Sequence, residues 1–166
     1  MTTENDGKTP FAETKIERTS DRELTVTRMF DAPPRIVFAA WTTPALFTRW
    51  WAPKSIGMRI VGCEMDVRTG GGYRLEFAMD GMDNMVFFGR YIEVVPDALL
   101  VWTNDEEDDG AVTRVSFEAV GERTLLTYRD LYPTADAFEA ATDGAGAGLP
   151  EQFGQLDALL AGGDAA

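Results

Sequence analysis

The sequence predicts an α+β fold in which a seven-stranded, curved antiparallel sheet wraps around one long C-terminal helix. Six apolar or alternating segments follow one another between residues 57 and 131, and short turns rich in glycine, proline and aspartate separate them. Such short connections favour an antiparallel meander. Near the C-terminus the apolar residues recur at the spacing of one helical face, at Leu149, Phe153, Leu156 and Leu160. A sheet with one apolar face needs a cover of this kind.

The segment before the meander predicts one more strand and two short helices. Residues 23–30 alternate between polar and apolar side chains, which is typical of a strand. The two prolines that follow suit the first turn of a helix, and Thr43 with Pro44 repeats that start signal for a second helix ending near Trp51. The meander strands are predicted over residues 57–66, 72–80, 84–95, 98–104, 111–120 and 123–131, and a further short helix over residues 134–142.

The chain has 166 residues, a length that suits one domain. Residues 1–20 are polar and aperiodic, so we predict a flexible leader there. We expect a single domain over residues 21–162 and a short tail over residues 163–166.

Several features of the composition bear on location and partners. No apolar run approaches the roughly 20 residues that span a bilayer, and the start of the sequence lacks the basic and apolar regions of a secretory signal. The single cysteine, Cys63, cannot form an internal disulfide, and we predict that it is a small buried hydrophobe. We therefore expect a cytoplasmic protein without membrane insertion. A formal net charge of −13 disfavours binding to nucleic acid.

Histidine is absent from the chain. Catalytic systems that pair Ser or Cys with His are therefore excluded, as are His-based zinc sites. The acidic run at residues 105–109 lacks the glutamate that would complete a calcium loop, so we predict a solvated hairpin tip. We accordingly predict no metal site, no cofactor and no assigned catalytic residue.

Four motifs in order carry a resemblance to a known family. They span residues 30–44, 49–54, 63–74, and 89–96 together with 99–103. They closely resemble the bacterial family named after the activator of the heat-shock-protein-90 ATPase, and the resemblance extends over about residues 23–161. This family belongs to the START-like (SRPBCC) superfamily, which includes polyketide-cyclase-like proteins and the birch-pollen allergen. The resemblance implies the helix-grip fold, with a cavity between sheet and helix.

The resemblance implies a protein that binds a small hydrophobic or amphipathic molecule in such a cavity. Large side chains on the predicted concave face and helices are the candidate ligand contacts: Trp41, Trp50, Trp51, Tyr73, Phe77, Phe87, Tyr91, Trp102, Phe117 and Phe153. We expect Arg59, Tyr73, Tyr91 or Asn84 to orient the ligand. The same aromatic residues equally suit a filled core. Two adjacent tryptophans cannot both face a core from one helix face. Either Trp50 or Trp51 therefore lines the cavity mouth and stacks on a ligand, or both pack as a lid on the sheet edge.

Two other functions stay open. The first is an enzyme of the cyclase or hydrolase type that uses a desolvated carboxylate in the cavity; the strand carboxylates to examine are Glu64, Asp66, Glu76 and Glu93. The second is a chaperone-accessory or protein-interaction module, with a chaperone or a second copy of the chain as partner. A buried, unpaired carboxylate on the concave face would favour the enzyme.

Overall fold

The computed structural model describes residues 14–106, 108, 110–141 and 149–162. The first 13 residues of the predicted leader and the predicted tail at 163–166 lie outside these ranges. Over the described ranges the chain forms an α+β fold with a large antiparallel sheet and a C-terminal helix, which confirms the predicted class. None of the helices in these ranges is long and apolar enough to span a membrane.

The elements occur in the predicted order. The strands are β1 (Lys15–Arg18), β2 (Glu23–Phe30), β3 (Arg59–Met65), β4 (Gly72–Ala78), β5 (Met85–Val95), β6 (Leu99–Thr103), β7 (Val112–Val120) and β8 (Arg123–Leu131). The helices are α1 (Pro34–Thr42), α2 (Pro44–Trp50), α3 (Ala135–Ala141) and α4 (Leu149–Ala161), with one 3-10 turn at Lys54–Ile56. Each predicted strand is present, so periodicity and turn residues were sufficient to locate the sheet.

All neighbouring strands in the sheet are antiparallel, in the order β1-β2-β8-β7-β6-β5-β4-β3. The first long strand, β2, pairs with the last strand, β8, next to the edge strand β1. Irregular register between Ile60 and Gly62 in β3, and between Tyr91 and Glu93 in β5, marks two bulges. Bulges bend a strand and increase its local twist, which favours a curved sheet.

The predicted number of seven strands is wrong, because the described part of the chain contains eight. Lys15–Arg18, which we predicted as part of the flexible leader, pairs with β2 in the register Lys15 opposite Thr27 and Arg18 opposite Leu24. All four of its side chains are exposed. Backbone hydrogen bonds to β2 hold this edge strand, together with the Arg18 guanidinium, which pairs with Glu139 and lies over the Phe138 ring of α3. No alternation of side chains marks the strand in the sequence. Its charged residues also suit an exposed sheet edge.

Helix α4 covers the concave face with an apolar stripe, as predicted, but the stripe ends differently. Leu149, Phe153 and Leu156 are buried, and the fourth buried position is Leu159. The predicted fourth residue, Leu160, is half-buried and packs against the core from its margin. Both residues lie within about 60° of Leu156 on a helix of 3.6 residues per turn, so spacing alone could not choose between them.

Candidate ligand cavity

A cavity of about 420 Å³ lies between the concave face of β3–β6 and the helices α1, α2 and α4. Its volume falls within the range of small-molecule sites, roughly 300 to 1,000 Å³. Trp41 from α1, Phe47 from α2 and Gln152 from α4 form the helical side of the wall. Trp41 is almost fully buried and forms the floor, whereas Trp51 and Glu106 are half-exposed and lie toward the opening.

Seven of the predicted contact residues line this cavity: Trp41, Trp51, Tyr73, Phe77, Phe87, Tyr91 and Trp102. The side chain of Trp51 stacks on Phe47 at a centroid distance of 5.1 Å. Trp50 is fully buried instead, and its indole N–H donates to the Ala40 carbonyl at 2.9 Å. The two adjacent tryptophans thus divide their roles between cavity wall and core, as the helix geometry requires.

Four predicted contact residues are not part of the cavity lining, namely Trp50, Arg59, Phe117 and Phe153. Phe117 packs edge-on against Phe38, and Phe153 packs edge-on against Phe30, so both are core residues behind the wall. The guanidinium of Arg59 points to solvent and lies 3.6 Å from the Asp80 carboxylate. Arg59 is the first residue of β3, and Asp80 follows the end of β4. Both therefore lie at the open end of the β3–β4 hairpin, where the Arg59 side chain reaches Asp80 and not the cavity.

One further polar candidate, Asn84, also has its partner outside the cavity. The Asn84 amide, expected to orient a ligand, donates to the Glu76 carboxylate at 2.9 Å on the exposed side of the sheet.

Strand β5 is apolar on both faces around Val86, Phe87 and Phe88, so the sequence did not show which of these side chains face the cavity. Phe87 packs against Phe77 at a centroid distance of 5.1 Å and lines the cavity, while Phe88 faces outward.

Sequence analysis missed eight lining residues: Phe47, Pro53, Met58, Met65, Leu75, Asn104, Glu106 and Gln152. Strand alternation pointed to Leu75, which lies between Tyr73 and Phe77 on the same face. Met65 lies opposite Tyr73 in the β3–β4 register and could have been found from that pairing. No sequence signal marked Asn104 and Glu106, because only the path of the chain after β6 brings them to the cavity.

The buried floor of the cavity carries an unmet hydrogen-bond donor. Trp41 is 1% exposed, and its indole Nε1–H has no acceptor among the described residues. A buried donor without a partner costs about 1 to 3 kcal/mol. The nitrogen itself has almost no accessible surface, so a molecule in the cavity does not reach it in this structure.

A chain of polar side chains continues from the cavity wall into the sheet. The Tyr73 hydroxyl donates to the Thr103 carbonyl at 2.7 Å and lies 3.4 Å from Asn104 Oδ1. The Asn104 amide donates to the Thr113 hydroxyl at 3.0 Å, and this hydroxyl donates to the buried Asp130 carboxylate at 2.6 Å. Asp130 does not line the cavity, so the network anchors the wall from behind.

Burial controls the protonation of several groups near the cavity. Desolvation raises the pKa of Tyr73 well above its ordinary value, and the nearby Glu106 carboxylate adds to this shift. Burial likewise raises the pKa of Tyr91 and of the Cys63 thiol. The two phenols and the thiol therefore stay neutral at physiological pH, so none of them supplies an anionic base or nucleophile.

The four strand carboxylates that we named for catalysis do not face the cavity. Glu64 and Glu93 are exposed. Asp66 accepts from the Arg68 guanidinium at 2.9 Å, and Glu76 is half-exposed. Glu76 also accepts from an amide and lies near a guanidinium. This arrangement weakens the enzyme hypothesis, which needs a desolvated and unpaired carboxylate.

Polar side chains of α4 hold the rim of the cavity. Gln155 donates to the Trp50 and Ala52 carbonyls at 2.8 and 2.9 Å, and it accepts from the Lys54 N–H at 2.9 Å. Glu151 accepts from the hydroxyl and N–H of Ser55, each at 2.7 Å, and these bonds lower the pKa of its carboxyl. The segment that carries Trp51 and Pro53 is thereby tied to α4.

We expect the substitution Gln155→Leu to lower the free energy of unfolding by about 1 to 3 kcal/mol, because it leaves three backbone groups without their partner. Urea denaturation measures this change. Gln152→Leu is the matched control, since Gln152 makes one bond of this kind, to the Trp51 carbonyl, and we expect a smaller loss. Equal losses in both variants would contradict the role assigned to Gln155.

Solved structures of bacterial proteins share this fold. A protein from Rhodobacter sphaeroides is 26% identical, with a TM-score of 0.83, and the match covers 90% of this chain and 99% of that one. A protein from Chromobacterium violaceum is 26% identical, with a TM-score of 0.72, over 82% of this chain and 96% of its own. The AHSA1-like protein from Aeromonas hydrophila is 21% identical, with a TM-score of 0.66, over 81% of this chain and 92% of its own.

A comparison with proteins of curated function finds no significant match. Residues 31–161 match the family described as "Activator of Hsp90 ATPase homolog 1-like protein". This range includes most of the described elements, from α1 to α4. The match confirms the resemblance and the START-like, helix-grip fold that the sequence motifs indicated, and the chain therefore belongs to this family.

Proposed function

We propose that the protein binds a small apolar or amphipathic molecule in the cavity between its concave sheet and its helices. The observation that carries this proposal is the cavity of about 420 Å³ itself, which is lined mainly by aromatic and other apolar side chains. A ligand of this kind would place its polar group near the few polar lining residues, Tyr73, Asn104, Glu106 and Gln152. Its apolar body would cover the surrounding rings.

The shape and the composition of the wall support this proposal. Aromatic side chains on α1, α2, β4, β5 and β6 supply large flat surfaces, as in other small-molecule sites. Burial of apolar ligand surface contributes roughly 25 cal/mol per Å² before the costs of binding. An open volume of this size between packed rings is unusual for a core that serves stability alone, because interiors are close-packed.

The proposal is first tested by native mass spectrometry of the freshly purified protein, with extraction of any bound compound. We expect a stoichiometric mass adduct or, if the ligand is lost in purification, binding of the neutral aromatic probe naphthylmethanol by calorimetry. Protein that carries no adduct and does not bind this probe would overturn the proposal and favour the protein-interaction module.

A cavity-filling variant provides a second test. Met65 lines the cavity, and its neighbour Glu64 faces solvent from the same strand. We expect Met65→Trp to weaken binding of naphthylmethanol by at least about tenfold, because the new ring occupies the ligand's space. Glu64→Trp adds the same ring on the outer face and serves as the control, with unchanged affinity. Calorimetry measures both, and equal affinities in the two variants would place binding elsewhere.

A further inference from the structure

We infer that the molecule held in this cavity is an organic cation, with an ammonium group at the opening beside Glu106 and an apolar, ring-sized body inside. This inference rests on the proposed function and names its ligand class. Three features of the cavity wall lead to this ligand class. Its polar end offers hydrogen-bond acceptors, its aromatic rings lie next to one another, and its formal charge is negative.

The polar end of the cavity, formed by Tyr73, Asn104 and Glu106, presents acceptors. The Tyr73 proton is already donated to the Thr103 carbonyl, which leaves the lone pairs of the phenol oxygen. The Asn104 amide hydrogens are donated to the Ala111 carbonyl at 2.7 Å and to the Thr113 hydroxyl. Its Oδ1, which lies 3.4 Å from the Tyr73 hydroxyl, keeps lone pairs as an acceptor at this part of the cavity lining. A ligand group that satisfies this end must be a hydrogen-bond donor.

Glu106 adds a negative charge to these acceptors. It is half-exposed, and one of its oxygens accepts from the backbone N–H of Phe88 at 3.2 Å, which fixes the carboxylate at the wall. Among the lining residues in the described ranges it is the only one with a formal charge. The nearby guanidinium of Arg90 lies 3.5 Å from the Asp105 carboxylate, so its charge is already paired outside the cavity.

The rings beside this end form a continuous arc. Tyr73 lies 5.8 Å from Tyr91, Tyr91 lies 6.5 Å from Trp102, and Trp102 lies 6.1 Å from Trp41. Trp51 closes the arc at 5.6 Å from Trp41. Organic cations bind over such ring faces at centroid distances of about 6 Å, and the attraction is larger where water is excluded.

The same features select against anionic ligands. No lysine, arginine or histidine lines the cavity in the described part of the chain, and the whole sequence carries a formal net charge of −13. A carboxylate at this end would face Glu106 and two lone-pair acceptors without a donor, which is unfavourable for a desolvated anion. Fatty-acid-like ligands are thereby disfavoured relative to amines of the same size.

The test compares three probes of nearly equal shape by calorimetry at neutral pH: naphthylmethylamine, which is cationic, naphthylmethanol, which is neutral, and naphthoate, which is anionic. We expect the amine to bind about tenfold more tightly than the alcohol, and the naphthoate to bind most weakly. Glu106→Gln keeps an acceptor for the Phe88 N–H and removes the charge. We expect this substitution to bring the affinity of the amine close to that of the alcohol.

Glu122→Gln is the matched control, because it removes the same charge from the exposed β7–β8 turn and leaves all three affinities unchanged. A preference for the amine that is lost in Glu106→Gln and kept in Glu122→Gln supports the inference. If the three probes bind equally, or if the preference survives Glu106→Gln, the inference is overturned while cavity binding stands. If no probe binds, the proposed function itself fails.

Discussion

Replacing Phe153 with alanine is expected to lower the free energy of unfolding by about 3 to 5 kcal/mol, the range measured for removal of a fully buried aromatic ring. The ring of Phe153 is 0% exposed and packs edge-on against Phe30 at 5.5 Å. It also lies 6.4 Å from Trp41 and 6.5 Å from Trp50, so it joins α4 to both short helices. Loss of the ring leaves a void where α4 meets the cavity floor.

Chemical denaturation measures this effect, and Phe88→Ala is the matched control. Phe88 lies on the outer face of β5 and is 44% exposed, so its removal creates no void. We expect a loss of less than about 1 kcal/mol for this control. Similar losses in the two variants would mean that α4 is not docked through Phe153 as described.

The second large effect is a pH dependence that arises from Asp130. This carboxylate is buried on β8 and accepts from the Thr113 hydroxyl at 2.6 Å. Burial raises its pKa from the ordinary value of 3.8 to about 6, although hydrogen bonds from Thr113 and Tyr128 act in the opposite direction. The folded protein therefore holds this proton over a range in which the unfolded chain has lost it.

The sign of the effect follows from proton linkage. Well below pH 3.8, the ordinary pKa, the carboxyl is protonated in both states and makes no difference to stability. As the pH rises toward about 6, the unfolded chain releases the proton first, so the free energy of unfolding falls. Above about pH 6 the Asp130 carboxyl is ionised in both states. Its burial then lowers the free energy of unfolding by about 3 kcal/mol, since one pKa unit corresponds to about 1.4 kcal/mol.

Asp130→Asn isolates this contribution from the titration of the other carboxylates. The amide keeps an oxygen for the Thr113 hydroxyl and does not ionise. We expect the free energy of unfolding of the variant, relative to the natural sequence, to rise by about 3 kcal/mol between about pH 4 and about pH 7. Urea denaturation across this range measures the difference. Parallel pH profiles for the two proteins would contradict the raised pKa of Asp130.

Sequence patterns predicted the type and the order of the helices and of every strand except β1. Alternation located β4 and β7 because each has one buried face and one more exposed face, and it also located β2, whose residues are all buried or half-buried. Pro34 and Pro44 marked the starts of α1 and α2, because proline costs little in a first helical turn. Strand β1 escaped prediction because its four exposed side chains carry no alternation, and its contacts, the pairing with β2 and the ion pair of Arg18 with Glu139, exist only in the folded chain.

The cavity was only partly predictable from these patterns. Alternation placed Tyr73 and Phe77 on the concave face, but it could not separate a ring that lines open space from one that fills the core, as Phe153 does. That distinction depends on how far α4 lies from each strand. Only the folded structure distinguishes a ring that lines the cavity from a ring that packs in the core. Both positions take apolar residues, so the sequence pattern is the same in the two cases.

The polar groups of the site depended on tertiary structure still more strongly. Asn104 and Glu106 follow β6 in a hairpin tip that the sequence marks only as acidic and solvated. The fold of this tip against β4 and β5 brings both residues to the cavity, where Glu106 accepts from the backbone of Phe88. Local sequence thus determined the secondary structure, whereas the charge and hydrogen-bonding character of the site were decided by contacts between residues distant in the chain.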